Sequence, residues 1–482
     1  MAKLRFVLVF IAVLLFLLPL WIWQTFGNSV TTEQLVYHVM SGTRQLAGAN
    51  NPIVLSFIFI NIVTPSLVAY GSYVADIRAQ RKISHVSSSK NSKKLPWLAS
   101  ASLTLLAVAL VVASAVSFSE RIGIPAYIKS FSDVDAFSAV YFHPENIQFA
   151  KPIKKKNLLL LYVESLEYGL RSEDLHGINL IKPIDDLPGQ NVKVQVAPGT
   201  NWSIAGMVAS QCSVPLKAYL GNNMGSKIRF LPSLTCIGDI LAEQGYQQYF
   251  LTGPKLKFSG LDTFYGNHGF QLSIGRDEWR KRGLSPDLFD GWGEGIHDDT
   301  LLDEAKKIMV EARATNQPFN MTLITTDNHA PDGTTSPRCK DTQFNEGFRR
   351  AFKCNSEYVA NFINDLDKAK LLDNTLVVIM GDHPFMNSPE IADVFPNPRE
   401  VYLKIMNANR KVERESMTHF DVAPSILQDL GILEGQGGKF GLGISNFTKV
   451  SEQDYSTHLG KVTDHSITNH SSTYDKFWMP KI

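Results

Sequence analysis

The sequence predicts an α/β domain with a mostly parallel central sheet, preceded by three N-terminal transmembrane helices. Within the first 120 residues lie three long apolar segments. From residue 157 onward, short apolar runs alternate with helical stretches, and this alternation is typical of a parallel sheet covered by helices. At 482 residues, the chain is long enough for a large catalytic unit plus a second part.

We predict a membrane domain over residues 1–118. Its three spans are expected at about 4–26, 53–75 and 95–118, each long enough to cross a bilayer, which needs about 20 apolar residues. A cleaved signal peptide is the alternative for the first span, but that segment is long and lacks a clear small-residue cleavage site. A buried core helix can mimic one such segment, whereas three in succession disfavour that interpretation.

Basic residues predict the orientation of these spans. They precede the first span and cluster between the second and third (Arg78, Arg81, Lys82, Lys90, Lys93 and Lys94), whereas the 27–51 loop has only Arg44 against Glu33. Basic loops stay cytoplasmic. We therefore expect the N-terminus and the 77–94 loop inside a bacterial inner membrane, and everything after residue 118 in the periplasm.

Charge and cysteine usage narrow the class of protein. The net charge of +1, without a long basic patch in the second half, gives no reason to expect a nucleic-acid partner. Four cysteines allow three pairings. In an oxidising compartment we expect the sequence-local pairs Cys212–Cys236 and Cys339–Cys354. A zinc site is the alternative, but no CxxC spacing supports it.

Residues 119–156 mix aromatic, charged and proline residues and are predicted to be a juxtamembrane linker. Residues 157–482 are predicted to be the periplasmic catalytic domain. Its strands are expected at 157–163, 192–196, 247–252, 319–325, 375–380 and near 401–405. Its helices are expected at 203–210, 233–244, 298–315, 346–369 and 422–430.

Charged side chains follow two of these apolar runs. Glu164 comes directly after the first, and Asp382 and His383 follow Gly381, just after the run that ends at Met380. In such sheets, site chemistry gathers at the carboxyl ends of the strands, so we expect these side chains to lie together. A charge there is costly unless it is paired or bound to a metal. The plainer alternatives are a capping or salt-bridged Glu164 and an Asp–His turn without metal.

Two further positions offer a hydroxyl and an imidazole. Thr200 lies in a Pro-Gly turn before a small-residue helix, where oriented N–H groups favour a phosphate. A plain capping role is its alternative, and Ser203 is the competing hydroxyl. His329 follows the 319–325 strand and suits a hydrogen bond to a phosphoryl oxygen or protonation of a leaving group. A structural histidine is the alternative there.

Other polar residues are weaker candidates. Asp327 is a less favoured site residue than His329, and Glu167 is expected to be a solvated helix residue. Capping or structural roles are expected for Asp298, Asp299, His419 and Asp421. The glycine-rich run 435–443 lacks the context of a phosphate-binding loop and is interpreted as turns.

The chain resembles the alkaline phosphatase/sulfatase superfamily, specifically its membrane-anchored phosphoglycerol transferase branch, which includes lipoteichoic acid synthases. The resembling segments are 203–216, 236–241, 245–250, 258–270, 292–293, 298–305, 329–333 and 382–383. The chain lacks the Cys/Ser-x-Pro-x-Arg motif of true sulfatases, which disfavours sulfate ester hydrolysis. It also lacks the Trp-x-Arg pair of lipoteichoic acid synthases, which favours single-unit transfer over polymer synthesis.

The resemblance implies a sulfatase-like fold with one divalent metal ion, Mn²⁺ being favoured over Mg²⁺ or Zn²⁺. By position, it implies Glu164, Thr200, Asp382 and His383 as metal ligands, Thr200 as nucleophile and His329 as the phosphate-binding histidine. The implied reaction moves phosphoglycerol from phosphatidylglycerol to a periplasmic glucan through a covalent threonine intermediate, releasing diacylglycerol. The alternatives are transfer of phosphoethanolamine or phosphoglycerol to lipopolysaccharide or another surface glycan, and a non-enzymatic membrane-anchored sensor or scaffold.

Overall fold

The computed structural model describes residues 2–26, 32, 35, 51–86, 94–131, 133–217, 229–386, 395 and 398–480. It divides into two compact units. The described residues of 2–32 and 51–129 form the first unit, and those from Ser130 onward form the second. Most of the predicted 27–51 loop and part of the predicted basic loop lie outside the described residues.

The first unit is helical. Three of its helical stretches are long and apolar enough to cross a membrane: Ala2–Thr25, Leu55–Ala79 and Ser100–Ile122. The three predicted N-terminal candidate spans are thereby found as helices, while their crossing of a membrane and their orientation stay predictions. The helices are α1 (Ala2–Phe26), α2 (Asn51–Ile58), α3 (Thr64–Val86), α4 (Lys94–Ile122) and α5 (Ile124–Lys129), with a π-helical turn Phe59–Val63 between α2 and α3.

A buried ion pair joins three of these helices. Arg5 of α1 pairs with Asp76 of α3, and its guanidinium also donates to the Ser100 carbonyl at 2.8 Å and the Thr104 hydroxyl at 3.0 Å, both on α4. A charge among apolar helices is costly unless polar partners surround it. These contacts therefore satisfy the one charged residue of the first predicted span.

The second unit contains an eight-stranded sheet. Its strands in chain order are β1 (Asn157–Val163), β2 (Gln190–Gln195), β3 (Gln247–Thr252), β4 (Leu272–Ile274), β5 (Phe319–Ile324), β6 (Thr375–Gly381), β7 (Glu400–Met406) and β8 (Ser416–Thr418). Their order across the sheet is β4-β3-β5-β1-β6-β7-β2-β8. Only β7 runs antiparallel to its neighbours among these eight strands, so the predicted mostly parallel sheet is confirmed.

The central strands read as continuous apolar runs because helices cover both faces of the sheet. All residues of β1, β5 and β6 are buried. The described helices of this unit are α6 (Ala136–Val140), α7 (Glu173–His176), α8 (Lys182–Asp185), α9 (Ser203–Cys212), α10 (Ile237–Glu243), α11 (Leu261–Asn267), α12 (Arg276–Lys281), α13 (Asp298–Ala314), α14 (Phe348–Lys368), α15 (Val422–Asp429), α16 (Glu452–Val462) and α17 (Ser472–Asp475). Two short strands, β9 (Lys439–Phe440) and β10 (Gly443–Ile444), form a separate pair.

The four cysteines form the two predicted sequence-local disulfides, Cys212–Cys236 and Cys339–Cys354. Part of the predicted linker is packed against the end of the chain. The buried ring of Phe137 lies 5.4 Å from that of Tyr474, and Phe142 N–H donates to the Gly441 carbonyl at 2.7 Å. The aromatic residues of this segment therefore contribute to the core of the second unit.

Candidate active site

Three of the predicted site residues meet at the carboxyl end of the sheet. Glu164 follows β1, while Asp382 and His383 follow β6, and the two strands are parallel neighbours with Val163 opposite Gly381. One ligand atom from each side chain lies within 4.8 Å of the others, and all three residues are buried. The His383 Nε2 atom is 3.2 Å from Glu164 Oε1 and 3.4 Å from Asp382 Oδ2.

Ser165 holds the two carboxylates in place. Its N–H donates to Asp382 Oδ1 at 2.8 Å, and its hydroxyl donates to Glu164 Oε1 at 2.7 Å. Its φ of 57° turns the chain sharply after β1. The other oxygen, Asp382 Oδ2, is buried without a hydrogen-bond partner among the described residues. Such an orphaned carboxylate oxygen fits a metal ligand.

The charges of this cluster are unbalanced. Burial, and then the neighbouring Glu164 carboxylate, raise the pKa of Asp382 to about 7. Burial opposes the charged form of His383, but Asp382 and Glu164 outweigh it and raise the pKa of His383 to about 9. Burial also opposes ionisation of Glu164, yet His383 lowers the Glu164 pKa. Two carboxylates thus share one imidazole, and a divalent cation fits this mixed oxygen and nitrogen ligand set.

Neighbouring groups fix the His383 ring. Its Nδ1–H donates to the Pro384 carbonyl at 2.6 Å, which directs Nε2 into the cluster. On the far side of Asp382, the buried His419 places its Nε2 3.0 Å from the Asp382 carbonyl. Burial lowers the pKa of His419 to about 4, so this ring is neutral, and its expected structural role stays a prediction.

Glu167 is not the solvated residue that the sequence predicted. It is buried, pairs with Arg399, and accepts a hydrogen bond from Phe385 N–H at 2.8 Å. Its carboxylate therefore anchors the segment that follows His383. The prediction was wrong because the acidic side chain is paired by an arginine 232 residues away.

The two predicted hydroxyls occupy different environments. Ser203 begins α9, and its Oγ lies 3.1 Å from His383 Nε2. Thr200 is fully buried, and its hydroxyl donates to the Ala197 carbonyl at 2.7 Å and accepts from Ala197 N–H at 3.2 Å. Thr200 therefore closes its own turn, while Ser203 contacts the cluster. The ligand and nucleophile roles of Thr200 stay predictions.

His329 lies beside the cluster, after β5. Its Nδ1–H donates to the Ala330 carbonyl at 3.0 Å. Burial lowers the pKa of His329, with Glu164 acting in the opposite sense and His383 in the same sense. The indole of Trp292 stacks on its ring, with centroids 4.1 Å apart and planes 25° apart. The sequence interpretation did not assign a role to this tryptophan.

The weaker acidic candidates make structural contacts. Asp327 accepts from His297 Nδ1 at 2.9 Å and from Asp298 N–H at 3.1 Å. Asp299 pairs with Arg338 at 2.8 Å. Asp421 accepts from the Thr418 N–H and the Tyr455 hydroxyl, both at 2.8 Å. These contacts connect the strand ends to α13 and α16. Among the described acidic residues, the buried carboxylate oxygen without a hydrogen-bond partner is Asp382 Oδ2, in the cluster with Glu164 and His383.

A second group of ligating residue types, Cys236, Asp239 and His268, lies elsewhere in the second unit. The Cys236 sulfur is bonded to Cys212 and so cannot act as a thiolate ligand. Asp239 accepts from Cys236 N–H at 2.8 Å and pairs with His268 Nδ1 at 2.8 Å. This group is therefore a helix start, and the zinc alternative gains no support from it.

The fold and site define the class of protein: the chain belongs to the sulfatase family, whose family model matches residues 157–432, more than half of the chain. A relative named phosphoglycerol transferase I, from Escherichia coli O127:H6, is 36% identical over 262 residues. The same identity is found for the protein of that name from Escherichia coli O6:K15:H31. These matches cover 52% of this chain and 33% of the relatives, so the chain spans about a third of the length of the curated relatives it matches.

Solved structures show the same fold. A protein in the alkaline phosphatase superfamily from Vibrio parahaemolyticus matches with a TM-score of 0.51 and 20% identity, covering 68% of this chain and 80% of that chain. The integral membrane lipooligosaccharide phosphoethanolamine transferase A from Neisseria meningitidis matches with a TM-score of 0.52 and 13% identity, covering 89% and 85%. The predicted alkaline phosphatase-like α/β fold is confirmed.

Proposed function

We propose that this protein transfers phosphoglycerol from phosphatidylglycerol to a periplasmic glucan and releases diacylglycerol. The observation that carries the proposal is the buried cluster of Glu164, Asp382 and His383 with the Ser203 hydroxyl 3.1 Å from His383 Nε2. Carboxylates and an imidazole that hold a cation next to a hydroxyl can activate that hydroxyl as a nucleophile. The relatives named phosphoglycerol transferase I support the same reaction class. The three apolar N-terminal helices support a membrane anchor, which suits a lipid donor, and the two disulfides support a periplasmic domain.

Glu164, Asp382 and His383 would hold one divalent cation, and the sequence prediction adds Thr200. The resemblance favours Mn²⁺, with Mg²⁺ and Zn²⁺ as alternatives. When bound, the cation supplies positive charge that lowers the pKa of a hydroxyl and stabilises the phosphoryl oxygens. Ser165 keeps both carboxylates oriented toward it, and the Nδ1–H bond to Pro384 keeps His383 Nε2 available as a ligand.

The nucleophile that the contacts favour is Ser203, with Thr200 as the alternative predicted from the sequence. The Ser203 hydroxyl gives up its proton as its oxygen attacks phosphorus, the phosphorus–oxygen bond to diacylglycerol breaks, and the departing oxygen takes a proton. A glucan hydroxyl then loses its proton as it attacks the glycerophosphoserine, the bond between phosphorus and the serine oxygen breaks, and that oxygen takes a proton to regenerate the Ser203 hydroxyl. Because His329 donates its Nδ1–H to Ala330, the Nε2 of the neutral ring is free to exchange a proton with a reacting oxygen.

The test uses the full chain in proteoliposomes with labelled phosphatidylglycerol, with and without glucan and chelator. Ser203→Ala is expected to lower transfer at least about 1,000-fold, since it removes the nucleophile. Thr200→Ala keeps Ser203 and is expected to retain a covalent adduct. Ser210→Ala is the matched control, because Ser210 lies on the same helix but donates to the Gly206 carbonyl at 2.7 Å.

Mass spectrometry of the trapped adduct identifies both the residue and the group transferred, since glycerophosphate and phosphoethanolamine differ in mass. An adduct on Thr200 with full activity of Ser203→Ala would overturn the serine assignment. Transfer that persists in chelator would overturn the metal. In proteoliposomes that also contain phosphatidylethanolamine, a phosphoethanolamine adduct would overturn the proposed donor.

A further inference from the structure

Trp292 is a half-buried aromatic residue beside the site, and the reaction steps above do not use it. Its indole stacks on His329, and the ring of Phe258 meets it edge-on with centroids 4.9 Å apart. Trp292 and Phe258 thus form an aromatic corner against His329. One face of the indole is covered by the imidazole, and the residue as a whole keeps part of its surface in solvent.

A glycine-closed loop fixes this tryptophan. Gly291 N–H donates to the Gly295 carbonyl at 3.0 Å, and Gly295 N–H donates to the Trp292 carbonyl at 3.1 Å. A Cβ added at Gly295 would lie 2.6 Å from the backbone of Gly253, at the end of β3. The loop is therefore held by its own backbone and by its close approach to the sheet. Because these backbone contacts close the loop without the indole, the loop does not explain why a tryptophan is present at this position.

The charges around the aromatic corner differ between its two sides. On the Trp292 side, Asp290 and Glu294 have side chains that are 54% and 67% exposed, and each pairs with a buried partner, Asp290 with His297 and Glu294 with Arg276. On the Phe258 side, the preceding Lys255 and Lys257 are exposed. An anionic phospholipid headgroup is favoured beside the two exposed lysines rather than on the Trp292 side, where the paired cations are buried. A neutral polyhydroxylated molecule suits the Trp292 side, where the carboxylates accept hydrogen bonds from its hydroxyls.

We propose that Trp292 is the wall of the acceptor subsite and stacks against the apolar C–H face of a pyranose ring of the glycan. This inference rests on the proposed function and names the group that selects a sugar acceptor. The flat indole matches a six-membered ring, whereas a glycerol group is too small and flexible to cover it. Because the imidazole covers one face of the indole, this pyranose stacks on the other face, and a neighbouring sugar unit of the same glucan carries the reacting hydroxyl to His329.

Kinetics with a neutral glucose hexasaccharide as acceptor test the wall. Trp292→Leu is expected to raise the KM for the hexasaccharide about 10-fold, with much smaller changes in kcat and in the KM for phosphatidylglycerol. Trp292→Phe keeps a flat ring and is expected to restore most of the affinity. Trp478→Leu is the matched control, a half-buried tryptophan packed on Phe230 in the C-terminal segment. An unchanged KM for the hexasaccharide, or a larger change in the KM for phosphatidylglycerol, overturns the proposal.

Binding measured without donor separates this proposal from the proposed reaction. Titration of the full chain with the hexasaccharide, followed by calorimetry, is expected to give a Kd that Trp292→Leu weakens about 10-fold. If the wild type binds in this way but transfers nothing, the proposed role of Trp292 is supported and the proposed reaction is refuted. If the wild type transfers phosphoglycerol and Trp292→Leu binds the hexasaccharide equally well, the proposed reaction is supported and the proposed role of Trp292 is refuted.

Discussion

Gly206→Ala is the most direct perturbation of the site that leaves its polar residues intact. Gly206 lies in α9, three residues after Ser203, and faces the backbone of Asp382. A Cβ added there would lie 1.8 Å from the Asp382 carbonyl oxygen and 2.8 Å from its carbon. Ordinary contact begins at 3.4 Å, so α9 and the Asp382 backbone must separate by about 1.6 Å, which is 3.4 Å minus 1.8 Å.

This separation is large compared with the tolerance of a catalytic site, which is about 0.5 Å. It acts on the contact of 3.1 Å between Ser203 and His383 and on the Asp382 side chain. We expect transfer to fall at least about 100-fold, because a misplacement of about 1 Å has that effect. We also expect the free energy of unfolding to fall by about 1–3 kcal/mol or more through overpacking.

The assays are transfer kinetics in proteoliposomes and denaturant unfolding of the same preparation. Gly266→Ala is the matched control, since Gly266 lies inside α11 and its added Cβ meets no atom within 4 Å. That variant is expected to keep full activity and to gain up to about 1 kcal/mol of stability. Wild-type activity in Gly206→Ala would refute the close packing of α9 on Asp382.

Three further predictions concern buried charges and a disulfide. In chelator, wild-type stability should fall as pH rises from about 4 to about 7, because the pKa of Asp382 is raised to about 7 and its ionisation opposes folding; Asp382→Asn should make this slope shallower in denaturant titrations, while Glu167, Asp298 and Asp327, whose pKa values are also raised, keep part of it. Arg399→Leu should lower the free energy of unfolding by about 3–5 kcal/mol by leaving Glu167 buried and unpaired, and a second change, Glu167→Leu, should recover part of it. Replacing Cys212 and Cys236 by serine opens a loop of 24 residues and should lower the free energy of unfolding by about 3 kcal/mol, measured by thermal unfolding. Reduction of the wild type should lower its stability too, and no change in either experiment would contradict the prediction.

The sheet was predictable where its strands are long and buried on both faces. β1 and β6 are unbroken apolar runs that end at charged residues, and the structure bounds them within one residue of the prediction. β4 and β8 were missed because each has three residues, too few for a period to show. The antiparallel direction of β7 also lay beyond the sequence, because it depends on pairing with β2 and β6 and leaves no local signal.

The site was predictable where chemistry follows a strand end. Glu164, Asp382 and His383 share one edge of the sheet because parallel neighbours place their carboxyl ends together. The sequence predicted Thr200 as the hydroxyl of the site and Ser203 as its competitor, since both are near the start of α9, and the roles of Thr200 stay predictions. The two hydroxyls differ because of the turn before α9. The Thr200 hydroxyl donates a hydrogen bond to the Ala197 carbonyl within this turn, whereas the Ser203 hydroxyl contacts His383 Nε2.

How this chain buries other carboxylates shows what is unusual about the site. The buried Asp429 is paired with the ammonium of Lys156 at 2.8 Å, and the buried Glu167 is paired with Arg399. Each of these acids has its own cation, as the cost of burying an unpaired charge requires. Glu164 and Asp382 share a single imidazole instead, which leaves them short of positive charge.

A second buried acid beside a like charge, Asp298, differs from Asp382 in its hydrogen bonds. Asp298 is fully buried next to Asp327, but its carboxylate accepts from the N–H groups of Thr326 and Asp327 at 2.7 and 2.8 Å and from the Asn355 amide. Asp382 Oδ2 accepts no hydrogen bond from the described residues. The fold supplies donors to one buried acid and withholds them from an oxygen of the other. This contrast supports the proposal that Glu164 and Asp382 hold a divalent cation, whose two charges would balance the two carboxylates.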